Sequence, residues 1–262
     1  MRIARFAHPD GVAFGTVEGE PDAGPDALTV AEVAEHPFGP LEFTGRRWAL
    51  ADVRLLAPIL PTKVVGIGRN YADHAAELGN EVPPAPIMFL KPNTAVIGPR
   101  DAIRLPVDSQ RVDFEGELAL VIQRVCKDVP RERVSEVIFG YTCANDVTAR
   151  DQQQSDGQWT RAKGHDSFCP LGPWIETQLD PSDLRLETTL DGEVQQLGRT
   201  GQLVHDIPTL VSYLSHVMTL LPGDVVLTGT PAGVGPMKDG QTVEVTIEGI
   251  GTLTNPVKAK ES

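Results

Sequence analysis

The sequence predicts a mostly β, α+β chain with few helices, and three observations predict it. Short apolar runs recur between glycine and proline signals, a hairpin signature opens the chain, and only one long stretch has helical periodicity. The hairpin is read over residues 2–18: Arg2-Ile3-Ala4-Arg5-Phe6, a turn at Pro9-Asp10-Gly11, then Val12-Ala13-Phe14-Gly15-Thr16-Val17. Pro-Asp-Gly supplies the turn chemistry. Residues 20–60 are rich in Pro, Gly and Asp, with one short helical candidate at 30–35, and the prolines at 58 and 61 mark a boundary. The expected division is a small N-terminal β-rich domain, residues 1–57, and a larger domain, residues 58–262.

In the larger domain the strand candidates are 64–67, 87–90, 118–122, 138–142, 225–227 and 243–247. The helix is expected over 207–221, where Ile207, Leu210, Val211, Leu214, Val217, Met218 and Leu221 recur at helical spacing until Pro222-Gly223 stops it. Its work is core packing, and His216 falls on its polar side as a surface histidine.

A chain of 262 residues can bury a full core. Lys and Arg total 23 against 36 Asp and Glu, a net charge of −13 that repels phosphate backbones and anionic lipid. Nucleic acid and membrane partners are disfavoured, and an anionic substrate has to be met by local positive charge or a metal. Met-Arg-Ile-Ala-Arg-Phe is not followed by a signal-type apolar segment, and no run of 18 apolar residues occurs, so a soluble, cytoplasmic protein is expected. Cys126, Cys143 and Cys169 are odd in number and lack CxxC spacing, which argues against a disulfide frame or a zinc site. They are read as small residues filling packed space, with Cys169 near polar residues that matter below.

The run Val112-Asp113-Phe114-Glu115-Gly116-Glu117-Leu118-Ala119-Leu120-Val121-Ile122 begins acidic and ends apolar. In a strand, side chains at i and i+2 share a face, so Glu115 and Glu117 point the same way as Ala119 and Val121. Two anions aimed at a core need a cation between them, unless the acidic end is a solvated edge. Earlier in the chain, Gly68-Arg69-Asn70-Tyr71-Ala72-Asp73-His74-Ala75-Ala76-Glu77 reads as a turn into a short helix closed by Gly79 or Asn80. His74 and Glu77 share one face at i and i+3, as a general base and its orienting carboxylate or as an exposed pair. Asp146 falls at a strand end within Asn145-Asp146-Val147-Thr148-Ala149-Arg150-Asp151, where Arg150 offers a planar fork for a carboxylate and Gln153 a neutral donor. The 160–173 segment concentrates Arg161, Lys163, His165 and Asp166, a lysine source for an oxyanion or a polar loop. Leu227-Thr228-Gly229-Thr230-Pro231 runs a strand into a glycine-rich loop without the ending of a P-loop.

Together with Met88-Phe89-Leu90-Lys91-Pro92 and Lys163-Gly164-His165-Asp166, these stretches match one family in order as well as in residues. Over residues 58–257 the chain resembles the fumarylacetoacetate hydrolase family. The resemblance implies a mixed β-roll with few helices, usually a homodimer, and one Mg²⁺ or Mn²⁺ (Ca²⁺ in some crystals) on Glu115, Glu117 and Asp146. Three hard oxygen ligands agree with such ions. It assigns the His/Glu dyad to His74 and Glu77, the active-site lysine to Lys163, and substrate contacts to Arg150, Gln153 and Thr230, with Phe89 and Lys91 lining the pocket. Asp113 matches no ligand position and is expected to be structural. Larger members carry a further aspartate seven residues before the histidine, but that position here is Ile67, which places the chain with the shorter, three-carboxylate branch.

The implied substrate is a small anionic 2-oxo acid, handled through a metal-stabilised enolate. Hydrolysis of an acylpyruvate, decarboxylation of an oxaloacetate-like acid and isomerisation of a 2-hydroxyhepta-2,4-diene-1,7-dioate share that step, in the breakdown of aromatic acids or a related route. A non-catalytic metal- or ligand-binding protein on the same scaffold is the reading of a different class. Gly79, Asn80 and Pro83-Pro84 raise the further expectation that residues 74–86 order on binding.

Overall fold

The computed structural model describes residues 1–20, 25–77 and 79–259; residue 78, within the 74–86 stretch, lies outside them. The N-terminal part builds strands β1 (Arg2–His8), β2 (Gly11–Glu18), β3 (Thr29–Val33), β4 (Phe43–Ala49) and β5 (Arg54–Leu56). β1 and β2 form the expected hairpin, His8 opposite Gly11 across Pro9 and Asp10. β3 replaces the helix expected at 30–35. Thr29, Val30 and Val33 are stiff β-branched residues, and the segment is paired on both edges, Val30 lying opposite Val17 on β2 and Trp48 on β4. Its Glu32 is buried and accepts from Trp48 Nε1 at 2.9 Å, a contact that local helical spacing does not offer.

Next come β6 (Val64–Gly68), helix α1 (Ala72–Glu77), β7 (Ile87–Lys91), β8 (Val96–Ile97), β9 (Ile103–Leu105), β10 (Val112–Phe114), β11 (Gly116–Ile122), β12 (Ile138–Asn145) and β13 (Thr148–Ala149). Helices α2 (Arg150–Asp156) and α3 (Thr160–Gly164) precede β14 (Cys169–Glu176), β15 (Arg185–Leu190) and β16 (Glu193–Arg199). After α4 (Ile207–Val217) the chain closes with β17 (Val225–Leu227), β18 (Gly235–Pro236), β19 (Thr242–Ile247) and β20 (Gly251–Ala259).

These strands form three sheets. The largest runs β4-β3-β2-β1-β14-β12-β11-β17-β6-β7, with β5 on β1 and β8 on β14. Ile3 of β1 lies opposite Ile175 of β14, so β1 to β5 continue the sheet that carries the site. A five-stranded sheet, β16-β15-β19-β20-β9, and a three-stranded one, β13-β10-β18, complete a mixed β-roll in which β17 and β6 are parallel and most other pairs antiparallel.

β11, between β12 and β17, is buried at every position. Leu118, Leu120 and Ile122 join the core cluster that includes Leu210, Val211 and Leu214 of α4, whereas Ala119 and Val121 pack with Ile3, Leu171 and Ile175. Both faces being covered, the centre of the sheet is a rigid platform.

The main helix stops at Val217, short of the expected 221. Met218 is extended (φ −143°, ψ 156°), and Leu220 exchanges backbone hydrogen bonds with Cys126 at 2.9 and 3.0 Å. Leu220 is thus buried from extended backbone, and Val217 is 52% exposed rather than in the core. His216 is exposed, as expected, and bonds Ser212 O through Nδ1. All three cysteines are free and buried.

Candidate active site

The run from 112 to 122 is not one strand. It changes sheet at Glu115, β10 belonging to the three-stranded sheet and β11 to the large one. The switch is tied to the end of β12: Glu115 N donates to Asn145 Oδ1 at 2.9 Å, and Asp146 N donates to Glu115 O at 2.8 Å. A side chain at Gly116 would put its Cβ 2.1 Å from Thr188 Oγ1, so this turn requires glycine. Glu115, Glu117 and Asp146 therefore converge, each at most 4% exposed, with ligand oxygens within 4.8 Å of one another.

Cations surround the cluster. Lys163, on α3 and itself buried, donates to Glu115 Oε2 at 2.8 Å and Asp146 Oδ2 at 2.6 Å. Lys91 donates to Asp146 Oδ1 from below and to Val147 O at 3.3 Å. Arg150 reaches Glu115 Oε1 through Nη2, Asp113 Oδ2 through Nε at 2.9 Å and Gln153 Oε1 through Nη1 at 3.0 Å. Asp113, fully buried, also takes Arg111, which fits the structural role expected of it.

Burial alone would raise the Glu115 carboxyl, but Lys163, Arg150 and His74 hold it well below the usual carboxylate range. Glu117 goes the other way, because burial and the charges of Asp146 and Glu115 push it well above that range. Gly229 N, 2.6 Å away, is its one hydrogen-bond donor among the described residues. Beside it the buried Tyr71 hydroxyl has no hydrogen-bond partner among the described residues and is held above its ordinary value by burial, then by Glu117. A donor set of clustered oxygens, one of them forced toward its neutral form, fits a hard divalent cation.

His74 projects from α1 into the same cavity, with Nδ1 3.3 Å from Glu77 Oε2. Glu77 is fixed from behind by Gly233 N at 3.0 and 3.2 Å. A proton on Nδ1 facing that carboxylate leaves Nε2 basic. The aromatic wall is made possible by two glycines: a Cβ at Gly66 would lie 2.2 Å from Phe89, and one at Gly68 would lie 2.5 Å from Trp159. The two rings meet edge-on at 5.3 Å, and Lys163 Nζ sits 5.0 Å from the Phe89 centroid.

The cavity measures about 350 Å³ and brings His74, Phe89, Glu115, Glu117, Asp146, Arg150, Gln153, Lys163 and Thr230 to one surface. Glu77 stands behind His74. Lys91 is not on the cavity wall; at 1% exposure it lies beneath Asp146. Arg150, expected to offer its planar fork to an incoming carboxylate, is engaged on Asp113, Glu115 and Gln153. Thr230 Oγ1 donates to Gly116 O at 2.8 Å and accepts from Gln196 Nε2 at 2.7 Å, which ties the glycine-rich loop to the switch. Cys169 is fully buried, its thiol pushed up to about 12 chiefly by burial.

Sequence reasoning did not find Trp159, Arg69 or Asn70 on this wall. Arg69 and Asn70 stand in the quoted motif, so adjacency to His74 was a usable signal; Trp159 offered none.

Residues 63–258 match the family described as fumarylacetoacetate (FAA) hydrolase C-terminal, and residues 1–58 match one described as Rv2993c-like, N-terminal. The chain is 63% identical over 263 residues to protein Rv2993c of Mycobacterium tuberculosis, covering 99% of both. Its structure is similar to that of 2-hydroxyhepta-2,4-diene-1,7-dioate isomerase from Mycobacterium marinum, with a TM-score of 0.94, 60% identity and all of both chains covered. It is also similar to maleylpyruvate hydrolase from Sphingobium sp. SYK-6 in complex with manganese(II) and pyruvate, with a TM-score of 0.81 and 32% identity over all of both chains.

Proposed function

The chain belongs to the fumarylacetoacetate hydrolase family of enzymes, and within it we propose a divalent-metal-dependent catalyst that acts on a 2-oxo acid through an enolate, cleaving a C–C bond by hydrolysis or decarboxylation. The observation that carries the reading is the shared cavity: the Glu115, Glu117 and Asp146 cluster faces the same space as His74 backed by Glu77. Holding a cation calls for the cluster but not for the dyad.

Mg²⁺ or Mn²⁺ held by the three carboxylates would supply Lewis-acid polarisation of the substrate's carboxylate and keto oxygens. In hydrolysis His74 Nε2 takes a proton from water as the oxygen adds to the carbonyl distal to the 2-oxo group. Collapse of that adduct breaks the C–C bond, and its electron pair passes into the 2-oxo acid fragment as an enolate. Lys163, with an N–H beyond the two given to Glu115 and Asp146, offsets the charge on the enolate oxygen. His74 returns its proton to the enolate carbon, giving a carboxylic acid and a 2-oxo acid. In decarboxylation the same enolate forms as CO₂ leaves, and no water adds.

A second reading, proton transfer within a 2-hydroxydienoate without cleavage, draws on one observation. The isomerase-named structure from Mycobacterium marinum is 60% identical, whereas the maleylpyruvate hydrolase from Sphingobium sp. SYK-6 is 32% identical. A product-resolved assay of the Mg²⁺- or Mn²⁺-loaded protein on oxaloacetate, acetylpyruvate and a 2-hydroxymuconate-type diene separates them, with a chelator-treated control. Pyruvate formed from either of the first two and abolished by chelation supports cleavage, with CO₂ release marking decarboxylation. A change in diene absorbance without fragments supports isomerisation. A protein that binds metal yet turns over none of them is the non-catalytic binder.

A further inference from the structure

Three cationic side chains line the cavity, and two of them are taken up by protein carboxylates: Lys163 by Glu115 and Asp146, and Arg150 by Asp113 and Glu115. The third is Arg69. It lies half-buried on the wall and forms no ion pair or hydrogen bond among the described residues.

The backbone around Arg69 is fixed although its side chain is not. Gly68 is pressed against Trp159. Asn70 donates through Nδ2 to Thr228 O at 2.8 Å and His205 O at 2.9 Å, and accepts from His205 N through Oδ1 at 2.7 Å. A guanidinium on a rigid base, without a partner among the described residues, is a receptor for an anion from outside.

The sheet sets its place relative to the carboxylates. β11 pairs with β17, and β17 with β6, in the order Ala119, Leu227, Gly66. β17 and β6 run parallel toward Thr228 and Gly68, and β11 starts from that end with Glu117. Arg69 therefore leaves the same end of the sheet as Glu117, two strands away, or about 10 Å at the usual strand spacing. Phe89 and Trp159 line the cavity those strands open into.

We infer that Arg69 receives a second carboxylate at the far end of the substrate, so that the enzyme selects 2-oxo acids that are diacids. The inference rests on the proposed 2-oxo acid chemistry and adds which member of that class is taken.

The test uses binding, so that it does not depend on which bond reacts. The Mg²⁺-loaded protein is titrated calorimetrically with 2-oxoglutarate and with 2-oxopentanoate, which differ only in a terminal carboxylate against a methyl group. The wild-type protein prefers the diacid by ~10- to 100-fold, the range of a hydrogen-bonded charge pair. In Arg69→Gln that preference collapses toward one, and Arg69→Lys restores part of it because the charge returns without the fork. Equal affinity in the wild type, or a preference that survives Arg69→Gln, overturns the role of Arg69 and leaves the 2-oxo acid reading standing. If neither acid binds the loaded wild-type protein, the 2-oxo acid reading itself fails and this inference with it.

Discussion

Asp224, just before β17, and Glu117, on β11, are both buried carboxylates, exposed by 0% and 1%, yet the chain treats them in opposite ways. Asp224 Oδ1 accepts from Thr62 Oγ1 at 2.5 Å and Lys63 N at 3.2 Å, and Oδ2 accepts from Leu221 N at 2.7 Å and from Lys63 Nζ. Every acceptor direction is filled by the protein. Glu117 has one backbone donor and two like charges for neighbours. A buried acid whose hydrogen bonds are all supplied is holding strands together; one left short is waiting for something the chain does not contain. The difference separates structure from function without any appeal to family.

The largest expected effect lies on the functional side of that contrast. His74→Ala should lower turnover by ~10²- to 10⁴-fold, the usual worth of a general base, while Mn²⁺ still binds with wild-type affinity by calorimetry. Unchanged turnover would remove the dyad from the mechanism and leave Glu117 as part of a mere cation store.

Next in size is the response to metal. Addition of Mg²⁺ or Mn²⁺ at a hundred times its dissociation constant should stabilise the wild-type protein by about 2.7 kcal/mol in thermal or denaturant unfolding. Glu117→Gln should abolish most of that gain. In the metal-free state the same substitution should cost no stability, because it puts a neutral group where burial, Asp146 and Glu115 all oppose a charge. Asp224→Asn should do the reverse. It leaves turnover and the metal response intact but costs ~1–3 kcal/mol in urea unfolding, since Lys63 and an N–H lose a charged acceptor. If the two substitutions destabilise the metal-free protein equally, hydrogen-bond accounting does not distinguish their roles.

What was legible in the sequence follows the same divide. Glu115 and Glu117 could be paired from strand alternation, and His74 with Glu77 from one helical turn, because each relation is local. The uses of Lys91, Lys163 and Arg150 were not legible, for each ends on a carboxylate 17 to 55 residues away. Trp159 reaches the wall only because Gly68 lacks a side chain. A short segment at 30–35 carries no local sign that β2 and β4 pair with residues 29–33 from both edges, and that pairing overrides helical propensity. The end of α4 was misread because apolar spacing runs on through Met218 and Leu221, and nothing local reveals that Cys126 claims Leu220 for a bridge.

A third carboxylate gives the smallest effect and marks the outer limit of the contrast. The Asp206 side chain is 49% exposed, caps α4 by accepting from Thr209 N at 3.0 Å and Thr209 Oγ1 at 2.6 Å, and pairs with Arg131. Its partial burial acts to raise the carboxyl, but Thr209 and then Arg131 hold it below the usual range. The stabilisation is therefore present above the ordinary carboxylate value and is lost as pH falls through the lowered one. Asp206→Ala should cost ~0.5–2 kcal/mol at neutral pH, as for other helix caps. The gap between variant and wild type should close in acid, whereas Asp206→Asn, which keeps a capping oxygen without the charge, should recover much of the loss. Denaturant unfolding of all three at neutral and acid pH checks this. A gap that persists in acid would mean that the cap acts through packing rather than through its charge. Metal should shift all three proteins alike, since Asp206 is fully provided for by Thr209 and Arg131 and has no share in the cation that Glu117 lacks.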